Sequence, residues 1–150
     1  MIEINGIAHL ILNVNRFELC VSFYEQLLHF MGLKTVHKNA NYLYCVGGRT
    51  AIGIGRSAEK FKEESFQQQR IGLHHVCFRA RSREEVDAVY QFLQKIEAKV
   101  IHPPEEGPWG PGYYSVLFED PDGIRLEVNY VPGKGVLAEG VTFNPDEAYV

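Results

Sequence analysis

The chain has 150 residues, 45% of them apolar and 12% aromatic, which is enough for a packed core and too apolar for a disordered segment. Lys and Arg number 15 against 19 Asp and Glu, a formal charge of −4, which argues against a nucleic-acid footprint or an anionic-membrane binder, since both need a basic face. No run approaches the roughly 20 apolar residues of a membrane span. Met1-Ile2-Glu3-Ile4-Asn5 lacks the basic and apolar regions of a signal peptide, so a cytoplasmic protein is expected. Cys20, Cys45 and Cys77 are odd in number, widely spaced and set in apolar runs; they are expected as reduced core residues, with no disulfide and no cysteine metal site.

In chain order, Ile7 to Val14 alternates as a strand, with Leu10, Leu12 and Val14 on one face and His9, Ile11 and Asn13 on the other. Asn15 with Glu18 forms an Asn-led capping box, and Phe17, Cys20, Tyr24, Leu27 and Met31 recur at helical spacing until Gly32. Short strands are expected at Lys34 to His37, Tyr42 to Val46 and Thr50 to Gly55, with Gly47-Gly48 as a turn. Ser57 to Arg70 reads as a polar, partly helical linker. The order then returns: a strand at Leu73 to Ala80, a capping box at Ser82 and Glu85, and a helix with Val86, Val89, Leu93 and Ile96 as its apolar stripe. Strands follow at Lys99 to His102, Tyr113 to Glu119 and Ile124 to Tyr130, the last two joined by the turn Asp120-Pro121-Asp122-Gly123. The tail from Pro132 to Val150 shows little periodicity; a free terminus, a cavity cover and a docking arm all fit it.

The chain is thus one βαβββ unit written twice, residues 1–56 and 71–131, separated by a linker at 57–70 and followed by a tail at 132–150. His9 maps to His75 and Tyr24 to Tyr90, each by a shift of 66. Either histidine alone reads more readily as an ordinary strand residue. A second histidine at the equivalent position arises by chance only roughly one time in 25, so the pair counts for more. The adjacent His74 is the rival for His75, and strand alternation favours His75. In the last strand Ile124, Leu126 and Val128 face the helix, which leaves Arg125, Glu127 and Asn129 on the open side. His9, His75 and Glu127 therefore stand on the helix-free faces of their sheets, with Asn13, Arg79, Arg125 and Asn129 on the same faces as substrate contacts or as plain solvated residues. Trp109 lies in, and Tyr113 and Tyr114 follow, a Pro/Gly-rich loop, Gly107 to Gly112, and the three serve either as a lid or as packing.

With Ile7-Ala8-His9-Leu10, Leu73-His74-His75-Val76-Cys77-Phe78 and Phe118 to Glu127 on these strands, the chain resembles the vicinal-oxygen-chelate superfamily of glyoxalases, bleomycin-resistance proteins and extradiol dioxygenases over about residues 4–131. The resemblance implies an α+β fold in which tandem βαβββ modules form a cupped mixed sheet with helices on the outer face. It places His9, His75 and Glu127 at metal-ligand positions and favours a homodimer, with the site built either within one chain or between subunits. A fourth ligand found in glyoxalase I-like members falls at Gly53, leaving two histidines and one carboxylate. That set with open positions is the pattern of non-haem Fe(II), with Mn(II), Ni(II) and Zn(II) also compatible. The resemblance implies a metal-dependent enzyme acting on a small substrate that chelates through neighbouring oxygens, leaning to dioxygenase chemistry, with Glu127 as catalytic residue and ligand. Lyase, isomerase or thiol-transfer chemistry with the same ion, and a metal-free drug-binding module, are the alternatives. Against ring cleavage, Pro108-Trp109-Gly110 stands where extradiol enzymes carry a second-sphere His, and Leu117 where they carry a Tyr.

Overall fold

The computed structural model describes residues 1–143; residues 144–150, the end of the tail, lie outside the described residues. The elements are β1 (His9–Val14), α1 (Phe17–Phe30), β2 (Lys34–Lys38), β3 (Tyr42–Gly47), β4 (Thr50–Arg56), β5 (Val76–Arg79), α2 (Arg83–Lys95), β6 (Lys99–Glu106), β7 (Tyr114–Glu119) and β8 (Arg125–Tyr130), with single 3-10 turns at Glu59–Phe61 and Gly135–Leu137. Each half is βαβββ, and each forms a four-stranded mixed sheet with one helix on one side. The chain divides into two compact units, Met1–Phe66 together with Asp120–Gly123, and Gln67–Glu119 together with the chain from Ile124.

In the first unit the strand order is β1-β4-β3-β2, with β1 parallel to β4 and the other neighbours antiparallel. Alternation along β1 sends Leu12 and Val14 inward, where they join Leu43, Cys45, Ile52 and Ile54 of the neighbouring strands and Cys20, Tyr24 and Leu27 of α1 as buried core. Each such large apolar side chain contributes on the order of 1.5–3 kcal/mol of burial free energy. The helix entrance departs from the capping box expected of Asn15 and Glu18. Arg16 stands at the N-cap without a side-chain cap. The Asp122 carboxylate instead accepts the backbone N–H of Asn15 at 2.5 Å and of Arg16 at 3.1 Å, together with Arg16 Nε at 2.9 Å. Asn15 turns its side chain to the linker, donating from Nδ2 to the Glu64 carbonyl at 2.6 Å and accepting from Ser57, while Glu18 pairs with Arg56. Beside this, Tyr24 donates to Asp120 at 2.9 Å, both side chains being buried.

The second unit repeats the order as β5-β8-β7-β6, again with the first pair parallel. Here Ser82 caps the helix as expected: Glu85 N donates to Ser82 Oγ at 3.3 Å, while the Glu85 carboxylate accepts from Arg81 N, one residue before the N-cap, at 2.6 Å. Val86, Val89 and Leu93 of α2 are buried, as are Val116, Phe118, Leu126 and Val128 of the sheet. β6 runs on through Pro103-Pro104, beyond its expected end at His102. An edge strand tolerates proline, and two register shifts beside His102 accommodate the pair. Of the cysteines expected in the core, Cys20 and Cys45 are buried, whereas Cys77 is exposed, because its place in β5 puts it on the face away from α2.

Lys99, Glu119 and Arg125 occupy one register row across β6, β7 and β8, and both cations bond the Glu119 carboxylate at 2.7 Å. Burial pushes Glu119 upward, but the Lys99 and Arg125 bonds outweigh it and hold the carboxyl below its ordinary 4.5. A depressed carboxyl stabilises the fold above its unfolded pKa, and that contribution is lost as pH falls through the lower folded value. Urea melts of wild type and Glu119→Gln should therefore differ at pH 6.5 and converge toward pH 3; an equal gap at both pH values contradicts the assignment.

Candidate functional site

The sheet of the second unit turns one face to α2 and leaves the other open. On the open face, register aligns Cys77, Glu127 and Leu117 in one row and Arg79, Asn129 and Ser115 in the next. His75 lies one residue before β5 and reaches the same face. The face floors a cavity of about 1020 Å³ whose lining includes His75, Arg79, Tyr113, Arg125, Glu127 and Asn129, all from this one unit. The walls come from Trp109 in the 107–112 loop and from the tail, through Val131, Val136, Leu137 and Phe143. Loop and tail are packed together: the Trp109 and Phe143 rings lie 6.4 Å apart, and a Cβ on Gly110 would stand 3.5 Å from Val136.

At the floor, His75 Nε2 lies 3.3 Å from Glu127 Oε2, and the Tyr113 hydroxyl donates to Glu127 Oε1 at 2.5 Å. Glu127 is only 7% exposed. Burial alone raises its pKa, yet hydrogen bonds from His75, Tyr113 and Ser115 outweigh it and keep the carboxyl below its ordinary value. Tyr113 is pushed upward, by burial first and then by its bond to Glu127, so it stays a protonated donor. His75 Nδ1 lies 2.7 Å from His74 Nδ1, so one ring must carry the proton and the other accept it. Burial, then the neighbouring His75 and Arg125, lower the His74 pKa.

The second unit thus gathers His75, Glu127, Arg79, Trp109, Tyr113, Arg125 and Asn129 around one cavity. Tyr114 is turned away from it: as the first residue of β7, next after Tyr113, it falls on the helix side, where its hydroxyl donates to Asp87 at 2.8 Å and Arg83 stacks on its ring. Arg125 is held by Glu119. His9 and Asn13 belong to the first unit, exposed on the open face of β1. Within either unit, no three His, Cys, Asp or Glu side chains among the described residues gather closely enough to hold an ion.

Gly53 pairs with Ile11 as Glu127 pairs with Cys77, so it is the repeat equivalent of Glu127. A Cβ there would fall 2.4 Å from the Tyr42 hydroxyl and 2.5 Å from Ile11 Cδ1. Tyr42 and Ile11 fill the space that a side chain at this position needs.

His102 and His74, the rival of His75, also line the cavity. The bulged register of β6 hides His102 from any alternation rule, and His74 escapes it because the strand begins only at Val76. Ser115 and Leu117 were legible from the period of β7, whereas the tail carried no signal.

The Glyoxalase/Bleomycin resistance protein/Dioxygenase superfamily profile matches residues 6–128. The protein YqjT of Bacillus subtilis (strain 168) is 30% identical over 122 residues, 80% of this chain and 94% of that one. The metallothiol transferase FosB of Shouchella clausii (strain KSM-K16) is 28% identical over 136 residues, 91% and 84% of the two chains. The crystal structure of a glyoxalase-like protein from Bacillus halodurans superposes with a TM-score of 0.75 at 27% identity, covering 85% of this chain and 96% of that one. With two βαβββ repeats, a carboxylate and a histidine meeting on the open face of the second, and a profile match over most of its length, this chain belongs to the glyoxalase/bleomycin resistance protein/dioxygenase superfamily.

Proposed function

We propose that the protein is a divalent-metal-dependent enzyme whose ion is held by His9, His75 and Glu127 and whose small substrate presents two neighbouring oxygens. The observation that carries this reading is the convergence of His75 Nε2 and the buried Glu127 carboxylate at 3.3 Å on the floor of a walled cavity. Imidazole nitrogen and carboxylate oxygen suit a borderline divalent cation, and His9 supplies the third ligand from the first unit of the same chain or of a second copy in a homodimer. Bound there, such an ion acts as a Lewis acid on developing oxyanion charge. Tyr113 fixes the Glu127 carboxylate by bonding its other oxygen, and Glu127 takes or returns a substrate proton at its oxygens.

Thiol transfer or a lyase/isomerase reaction is favoured over ring cleavage. Leu117 stands opposite Glu127, where the resembling dioxygenases carry a tyrosine, and the relative named metallothiol transferase is similar over 91% of this chain. Dioxygenase chemistry with Fe(II), toward which a three-ligand set leans, is the second reading.

The test is the metal content of protein purified without chelators, compared with His9→Ala, His75→Ala and Glu127→Ala. Wild type should retain an ion that each variant loses; equal content in all four overturns the reading and favours a metal-free binding module.

His74 has a part in the same site. Ligation through His75 Nε2 requires the ring proton on Nδ1, where His74 Nδ1 is placed to accept it. His74→Phe should weaken Mn(II) binding by about 10- to 100-fold, the usual cost of losing such a partner. Titration calorimetry giving an unchanged Kd contradicts this role.

A further inference from the structure

The cavity that holds the His75–Glu127 pair also carries apolar side chains, and its fixed charges are mostly positive. Trp109, Leu117, Val136, Leu137 and Phe143 line one cavity with the fixed cations Arg79, Arg125 and Lys134, and Glu127 is the one carboxylate among the described residues that line it. Arg125 is already neutralised by Glu119. Arg79 and Lys134 form no ion pair with another described residue, and both are exposed. Arg79 lies one register row beyond Glu127, about 7 Å along the strands. Trp109 flanks Tyr113 on the Glu127 side of the cavity: a Cβ on Gly107 would meet Trp109 Cδ1 at 2.9 Å and Tyr113 Cδ1 at 3.2 Å, and Tyr113 bonds Glu127. The volume of about 1020 Å³ far exceeds what a three-carbon substrate fills.

We infer that this cavity takes an anionic molecule with an apolar, ring-sized body, its charge met by Arg79 and its body lying between Trp109 and the 131–137 strap. The inference rests on the proposed function only for the placing of the ligand's vicinal oxygens at His75 and Glu127. The body gains by burial against a wall supplied by loop and tail, and the charge gains from a cation that has no partner among the described residues. Trp109 is the sole tryptophan of the chain, so its emission reports on this wall directly.

The test titrates the full chain with mandelate, lactate and mandelamide, following Trp109 emission with and without Mn(II). Lactate keeps the oxygens and the charge without the ring; mandelamide keeps the ring without the charge. Mandelate should quench Trp109 with a Kd at least ten-fold below both others. Arg79→Gln, at an exposed position that leaves the core intact, should weaken mandelate several-fold and leave mandelamide unchanged. Lactate binding as tightly as mandelate overturns the ring-sized body, an unaltered Kd in Arg79→Gln overturns the anion contact, and no quenching by any of the three overturns both. A preference for mandelate that is indifferent to Mn(II) upholds this inference while the metal reading fails; Mn(II)-strengthened binding without that preference does the reverse.

Discussion

Glu127→Gln is expected to abolish tight ion binding while leaving the fold in place. The carboxylate is the one anionic group in the proposed ligand set, and an amide oxygen offers a cation neither charge nor a second equivalent donor atom. The affinity for Mn(II) should fall by more than about 100-fold, beyond what the loss of a partner outside the ligand set costs. The glutamine oxygen can still accept the Tyr113 hydroxyl, so the urea midpoint without metal should shift by no more than about 1 kcal/mol in equivalent stability. Calorimetric titration alongside urea melts separates the two effects. An unchanged Mn(II) affinity contradicts the role, and a collapsed fold assigns Glu127 to structure instead.

The second large effect lies in the turn between β7 and β8. Asp122→Ala removes the acceptor for two backbone N–H groups at the entrance of α1 and the partner of Arg16 Nε. Hydrogen bonds to a charged acceptor contribute about 1.5–3 kcal/mol, and a carboxylate at a helix N-terminus adds a favourable dipole interaction. Arg16 is 59% exposed, so its ion pair is screened and contributes little. The expected loss is about 2 kcal/mol, with Asp122→Asn recovering much of it because its side-chain oxygen still accepts. A melt of Asp122→Ala that superimposes on wild type contradicts this account. Tyr24→Phe, which strips Asp120 of a buried donor, should destabilise the same unit by about 1–3 kcal/mol.

The repeat, the helix stripes and the open faces were legible because they obey local periods: 3.6 residues along α1 and α2, two along the strands. The same period-2 rule placed Glu127, Arg79 and Asn129 on one face. It separates Tyr113 from Tyr114 as well, since neighbours on a strand point to opposite sides, and only Tyr113 reaches the cavity. The helix entrance was not legible. Asp122 lies 107 residues from Asn15, and no local pattern announces a carboxylate arriving from another hairpin. A turn motif that reads as backbone geometry alone, Asp120-Pro121-Asp122-Gly123, proves also to hold a helix start and a buried tyrosine. The cavity walls were hidden for a related reason: Val131, Val136, Leu137 and Phe143 show no periodicity, and their role emerges only from packing on the 107–112 loop.

The most direct measurement is anomalous diffraction from crystals grown with Mn(II). The account predicts one strong peak per chain within bonding distance, about 2.0–2.3 Å, of His75 Nε2, a Glu127 carboxylate oxygen and a His9 ring nitrogen of the same chain or of a second copy. A peak bound elsewhere, or an empty floor beside His75 and Glu127 at saturating Mn(II), contradicts it.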